Sequence, residues 1–285
     1  MVSAQTSGQL GDVPPETVLR ELGDDGVLLL TLNRPGRHNA WGYDMEERYF
    51  GLLDEAAQDP DVRVIVVTGA GGTFCPGMDM QVLKQGSTDP NYQRPVRRPQ
   101  THVRTVPKPV VAAVDGACAG IGFVQALMAD VRFTTARSKW TPSFTRLGLP
   151  AEDAVSWLLP RLVGAGHAAD LLMSCRVVRG DEAARLGLVN RCVEPAELLP
   201  TALAWAGEVA RSCSPRAVAM VKQQLAYDAT ADLEQARTRA DKFLVEARGL
   251  PDYREGVASF RERRAPRFEG LPEDQPPIGP ERFAV

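Results

Sequence analysis

No stretch of this 285-residue chain approaches the roughly 18 to 20 uncharged apolar residues that a membrane-spanning helix needs. The first residues also lack the basic-then-apolar layout of a secretory signal, so a cytoplasmic protein with no membrane partner is expected. Histidine is scarce and scattered (His38, His102, His167), and Cys75, Cys118, Cys175, Cys192 and Cys213 form no C-x-x-C pair. That poverty of clustered ligands argues against a zinc or disulfide framework and reads as buried reduced thiols, with no metal and no redox cofactor. Basic residues never gather into a block. The densest group, Arg261 to Arg267, is interrupted by Glu262, and the net charge is −3, which argues against a nucleic-acid partner. No segment recurs at a fixed period.

What is present is ordinary for a globular protein, 44% hydrophobic and 24% charged, with enough length for one large domain or two small ones. Residues 1–17 lack periodicity and read as a flexible tail. Val27 to Leu32 and Val62 to Thr68 are apolar, β-branched or leucine-rich runs closed by turn residues, the pattern of buried strands, and Asp44 to Gln58 carries Met45, Tyr49, Leu52, Leu53 and Ala56 at helical spacing. Met78 to Lys84 allows a short helix, after which Pro90, Pro95 and Pro99 break the chain into a long loop or lid up to Thr105. Pro109 to Val114 and Val131 to Thr135 are further strands, separated by a helix from Gly122 to Ala129. This alternation implies an α/β architecture. From Glu152 the pattern turns helical: Asp153 to Leu159, His167 to Ser174, Asp181 to Leu186, Pro195 to Ser212, Pro215 to Tyr227, and Leu233 to Arg248, stopped by Gly249 and Pro251. Only Leu188 to Val193 looks extended there.

Two glycine turns stand out, Phe74-Cys75-Pro76-Gly77-Met78-Asp79 and Asp115-Gly116-Ala117-Cys118-Ala119-Gly120-Ile121-Gly122, each between a strand-like run and a helix-like stretch. Glycine at such a junction lets the backbone turn tightly and leaves the first helical N–H groups unpaired. If the Met78 and Ile121 N–H groups converge, they form an oxyanion hole for a carbonyl oxygen that gains charge during reaction.

In their order and spacing these motifs resemble the crotonase family, the enoyl-CoA hydratase/isomerase superfamily. The resemblance rests on Asn33-Arg34-Pro35 with Asn39-Ala40, the two glycine turns, Lys108 to Gly116, Leu158 to Gly164, Ala183 to Val189 and Arg254 to Phe260. It implies a spiral of ββα turns over residues 18–195, a helical trimerisation region over 196–268 and a tail over 269–285. It also implies a homotrimer or a dimer of trimers, a coenzyme A thioester as substrate with no separate cofactor, and fatty-acid metabolism. By family position Met78 and Ile121, flanked by Gly77 and Gly120, would hold the thioester oxygen. Arg37, His38 and Ala40, with Met78, Asp79, Met80 and Gln81, would cradle coenzyme A; Gln81 stands where many relatives carry lysine.

Family hydratases hold a catalytic water between two glutamates, one base and one acid. At those positions this chain has Val124 and Phe144. The expectation is a drier acyl pocket lined by Met78, Val124, Trp140, Phe144, Leu149 and Trp157. Glu152 matches the acidic residue that dienoyl-CoA isomerases use as a proton carrier and that 4-chlorobenzoyl-CoA dehalogenases use as a nucleophile. One carboxylate beside an oxyanion hole suffices to remove a proton at one carbon and return it at another, so double-bond isomerisation is the leading expectation. Low hydratase activity, hydrolysis or dehalogenase-type attack through Glu152, and silent acyl-CoA binding are the alternatives. Glu152 and Asp153 also have a plain structural reading, as acids in the first turn of a helix. His38 and His102 are further candidate bases.

Overall fold

The computed structural model describes residues 16–88, 97–273 and 278. In chain order it contains β1 (Val18–Leu22), β2 (Val27–Leu32), α1 (Tyr43–Gln58), β3 (Val64–Gly69), α2 (Met80–Thr88), β4 (Val110–Val114), β5 (Ala117–Ala119), α3 (Ile121–Met128), β6 (Val131–Thr135) and β7 (Lys139–Thr141). Then follow α4 (Val155–Val163), α5 (Ala165–Ser174), β8 (Val178–Arg179), α6 (Gly180–Arg185), β9 (Arg191–Val193), α7 (Leu198–Ser212), α8 (Pro215–Asp228), α9 (Leu233–Gly249) and α10 (Pro251–Glu262).

One sheet runs β1-β2-β3-β4-β6-β9 and a second runs β5-β7-β8. β1 pairs antiparallel to β2, and the other neighbours of the large sheet are parallel. Parallel strands are covered on both faces, which is why β3 and β4 are nearly continuous apolar runs. Their side chains alternate. Ile65, Val67, Val110, Ala112 and Val114 enter the main core with α1 and α3, whereas Val64, Val66, Val111 and Ala113 face Ala202, Ala206 and Ala210 of α7. Helix α7 lies beyond the boundary expected at residue 195, yet it covers the second face of the sheet. The units β4-β5-α3 and β6-β7-α4 are the expected ββα turns, and the C-terminal region after the sheets is helical as expected.

Several expectations are corrected. α4 begins at Val155 and not at Asp153, because Asp153 (φ 51°) and Ala154 (φ 60°) are left-handed and cannot belong to it. Glu152 and Asp153 are therefore outside the first helical turn. Pro251 does not end the helical region but starts α10, at the first helical position, where a missing N–H costs nothing. In the proline-broken stretch α2 persists to Thr88 and a 3-10 helix spans Gln100–Thr105. Most of the expected N-terminal tail, the middle of that stretch (89–96) and most of the C-terminal tail lie outside the described residues. No helix among the described residues is long and apolar enough to cross a membrane.

Candidate active site

The two glycine turns are bound to each other. Cys75 donates its N–H to Ala117 O (2.9 Å) and accepts from Ala119 N–H (3.0 Å), a parallel bridge between Cys75 and Cys118. The fit leaves no room for side chains: a β-carbon on Gly122 would lie 2.2 Å from Cys75 O. Gly77 has φ 122° and Gly120 φ 51°, both in the region that disfavours residues with a β-carbon.

On the far side of the first turn, Trp41 donates to Gly77 O (2.8 Å) and accepts from Asp79 N–H (2.9 Å). In that parallel register the intervening Met78 N–H points away from Trp41. Ile121 is the first residue of α3, where no carbonyl four residues back can accept its N–H. Among the described residues neither amide donates to a protein acceptor, so both remain open to an external one. Asp115 pins the second turn, accepting from Gly116 N–H (2.9 Å), Thr135 Oγ1 (2.7 Å) and Arg137 Nε (2.8 Å). Burial opposes the ionised form of Asp115, but Arg137 and the other donors outweigh it and hold the carboxyl below its ordinary value.

The candidate coenzyme A segments form one clamped unit. Asp79 is buried, and burial works to raise its pKa, yet Gln81 N–H (3.0 Å), Arg34 Nη2 (3.1 Å) and Arg37 Nη1 (3.3 Å) prevail and lower it. A carboxylate held ionised by two guanidiniums is a weak base, so Asp79 ties the turn at 34–40 to the turn at 77–79. Arg34 also donates to Ala40 O (2.5 Å). Asn39, fully buried, accepts from Arg34 N–H and donates to Ala70 O (2.9 Å) and Thr73 O (2.6 Å). Arg37, His38, Met80 and Gln81 remain exposed at this mouth and Ala40 half-buried.

Val124 and Phe144 are both buried and apolar. Trp140 packs as core: it is fully buried, edge-on to Phe123 at 6.3 Å, with its indole N–H on Thr134 Oγ1 (3.1 Å). Leu149 is exposed on the loop that follows. Glu152 is half-buried on that same loop, its carbonyl accepting Val155 N–H (3.0 Å) just before the two left-handed residues. His102 does not face this region; its Nε2 lies 2.7 Å from Asp54 Oδ1.

One assembly of buried polar groups had no readable signal in the sequence. Glu46 Oε2 accepts from Trp41 Nε1 (2.9 Å), Arg97 Nη1 (2.9 Å) and Gln100 Nε2 (2.8 Å), and Gln100 Oε1 in turn accepts from Gln125 Nε2 on α3. Glu46 thereby links Trp41, which bridges to Met78, to the helix that begins at Ile121. An acid within an amphipathic helix ordinarily reads as solvent-facing, so only the fold exposes this role. No group of three or more metal-ligating side chains occurs among the described residues.

A sheet packed with ββα turns, two joined glycine turns and two uncommitted amides define an acyl-CoA enzyme of the crotonase fold. The enoyl-CoA hydratase/isomerase family model matches residues 23–271, and the chain belongs to that family. It is 30% identical over 257 residues to the 1,2-epoxyphenylacetyl-CoA isomerase of Escherichia coli, covering 87% of this chain and 96% of the relative. It is also 30% identical over 248 residues to the short-chain-enoyl-CoA hydratase of Clostridium acetobutylicum, covering 86% and 94%. Among solved structures, a probable enoyl-CoA hydratase/isomerase from Mycobacterium abscessus superimposes with a TM-score of 0.81 at 29% identity, over 89% of this chain and 99% of that one. An enoyl-CoA hydratase, EchA12_1, from Mycobacterium marinum is 44% identical with a TM-score of 0.66, over 76% and 100%.

Proposed function

We propose that this chain isomerises an enoyl-CoA thioester, with the Met78 and Ile121 amides stabilising the enolate and Glu152 moving the proton. The observation that carries this reading is the pair of buried apolar residues, Val124 and Phe144, at the hydratase glutamate positions. They remove both the acid–base pair and the polar groups that would hold a water. Glu152 supplies the remaining carboxylate. Its place outside the α4 helix removes the helix-dipole explanation for it, and the two left-handed residues after it, Asp153 and Ala154, are the kind of backbone strain that persists at functional sites. The name of the E. coli relative, an isomerase acting on a CoA thioester, points the same way.

In the mechanism the thioester oxygen accepts from both amides. Glu152 removes a proton from the carbon next to the carbonyl, the C–H electrons entering the enolate, and the protonated Glu152 returns that proton at the far carbon as the double bond moves. One oxyanion donor is worth about 2.7 to 4 kcal/mol. Coenzyme A lies against the Arg34–Asp79–Arg37 mouth. Phe260 (86% exposed) and Leu233 (87% exposed) on the C-terminal helices give an apolar surface that self-association into a trimer would cover.

The test is turnover of a panel of 3-enoyl-CoA substrates, read at the absorbance of the conjugated product. The wild type forms 2-enoyl-CoA and Glu152→Gln loses at least about 100-fold in kcat with binding retained. Absence of conjugated product, or an unaffected Glu152→Gln, overturns the reading.

A further inference from the structure

A cavity of ≈ 290 Å³ lies at the C-terminal end of α3. Met128 lines it, seven residues after Ile121, or roughly 10 Å further along the helix axis at about 1.5 Å per residue. Ile121, Val124 and Met128 recur at i, i+3 and i+7, so the face of α3 that starts beside the oxyanion amide ends in the cavity. The replacement of glutamate by Val124 makes that face apolar along its length. Ala154, two residues beyond Glu152, lines the cavity too, so the proton-carrier loop borders the same space.

Trp157 and Leu158 continue the apolar wall, and Arg104 and Thr101 stand on it as donors. Arg104 is half-buried, and among the described residues no carboxylate forms an ion pair with it. The nearby acid Asp130 is committed to Lys222 Nζ (2.7 Å) and Val110 N–H (2.8 Å). Arg132 donates to the carbonyls of Leu188 (2.9 Å) and Ala129 (2.6 Å). The Arg104 charge reaches both Arg132 and Lys222 and disfavours theirs, whereas Asp130 favours both. A largely apolar chamber lined by a guanidinium that forms no ion pair among the described residues suits a hydrocarbon segment ending in an anion.

We infer that this cavity is the subsite for the far end of the acyl group and that Arg104 binds a terminal carboxylate there, so that the substrate class is the CoA thioester of a dicarboxylic acid. The inference rests on the acyl-CoA reading above and adds the second acid to it.

The experiment is titration calorimetry of the full chain with matched pairs, hexanoyl-CoA against adipoyl-CoA and octanoyl-CoA against suberoyl-CoA. At least one diacid thioester binds about tenfold or more tighter than its monoacid partner, and Arg104→Met abolishes that ratio while leaving monoacid binding unchanged. Arg104→Lys, which keeps a cation without the fork, retains part of the ratio. Circular dichroism verifies that each variant is folded. Equal affinity for the two members of both pairs in the wild type, or a preference that survives Arg104→Met, overturns the inference and leaves the acyl-CoA reading intact. Failure of all four thioesters to bind overturns both.

Discussion

Gly77 and Gly120 are near neighbours across the two turns: a β-carbon on Gly120 would sit 3.7 Å from the Gly77 Cα, in van der Waals contact. Each immediately precedes an amide, at Met78 and at Ile121, that has no acceptor among the described residues. The two turns are thus one object, stitched at Cys75 and Cys118, and the direction of either amide depends on the backbone of both.

Gly120→Ala tests that dependence. With φ 51° and ψ −120° the position is strained for any residue bearing a β-carbon, at a cost of about 1–3 kcal/mol. The expected outcome is a folded protein with a lowered melting temperature and a kcat reduced about 100-fold or more, as the Ile121 N–H is turned off its line. Thermal unfolding monitored by circular dichroism, together with steady-state turnover, measures both effects; unchanged turnover would show that this amide takes no part.

Asp79→Asn weakens the mouth through acid-sensitive contacts. The Asp79 pKa is lowered in the fold, so its contribution to stability is present above about pH 4, the ordinary carboxylate range, and is lost as pH falls through the folded value. The Arg37 side chain is 47% exposed and its pairing is screened, which leaves Arg34 and the Gln81 amide as the main partners. The variant is expected to be less stable by about 1–3 kcal/mol at pH 7. The gap between wild type and variant closes on acidification, as urea midpoints at pH 7 and pH 3 will record.

Lys108 produces a slope of the same sign in the alkaline range. Burial lowers its pKa to about 8, while its Nζ donates to the carbonyls of Ala56 (2.6 Å) and Asp59. Between pH 8 and the ordinary lysine value the unfolded chain binds more protons than the folded one, so stability rises with pH. Relative to Lys108→Met, the wild type gains about 2 kcal/mol between pH 7.5 and 9.5. Guanidinium midpoints of the two proteins at those pH values measure the gain, and parallel pH profiles would contradict it.

Alkylation separates the cysteines. Burial pushes the Cys75 thiol up to about 12 and Cys118 well above its ordinary value, whereas Cys213 is exposed and Cys192 half-buried, against the expectation of buried thiols throughout. Iodoacetamide at pH 8 is expected to label Cys213 and to spare Cys75 and Cys118 until the protein is denatured. Peptide mapping by mass spectrometry identifies the labelled sites.

Much of the large sheet was legible because each parallel strand is buried on both faces and therefore written as an apolar run, as in Val64 to Val67 and Val110 to Val114. Short strands were not. Ala117–Ala119 and Lys139–Thr141 carry too few residues to show a period, and their pairing is set by the chain segments around them. Helix α10 was hidden because Pro251 reads equally as the end of one helix or the start of the next. The glycine turns were visible as motifs, but the Glu46–Gln100–Gln125 chain joins residues far apart in sequence and leaves no local mark.

The order of residues alone determined that the chain alternates strands and helices, that glycines stand at two junctions between them, and that positions 124 and 144 are apolar. Those properties are local, fixed by side-chain size and backbone freedom at each position. Only the tertiary structure decided that the two junctions touch, that Asp79 is locked between Arg34 and Arg37, that Glu152 lies outside its neighbouring helix, and that Arg104 lines a chamber at the end of α3. Contacts of that kind arise when distant segments are buried against one another, and burial of a charge or a turn is a property of the packed chain.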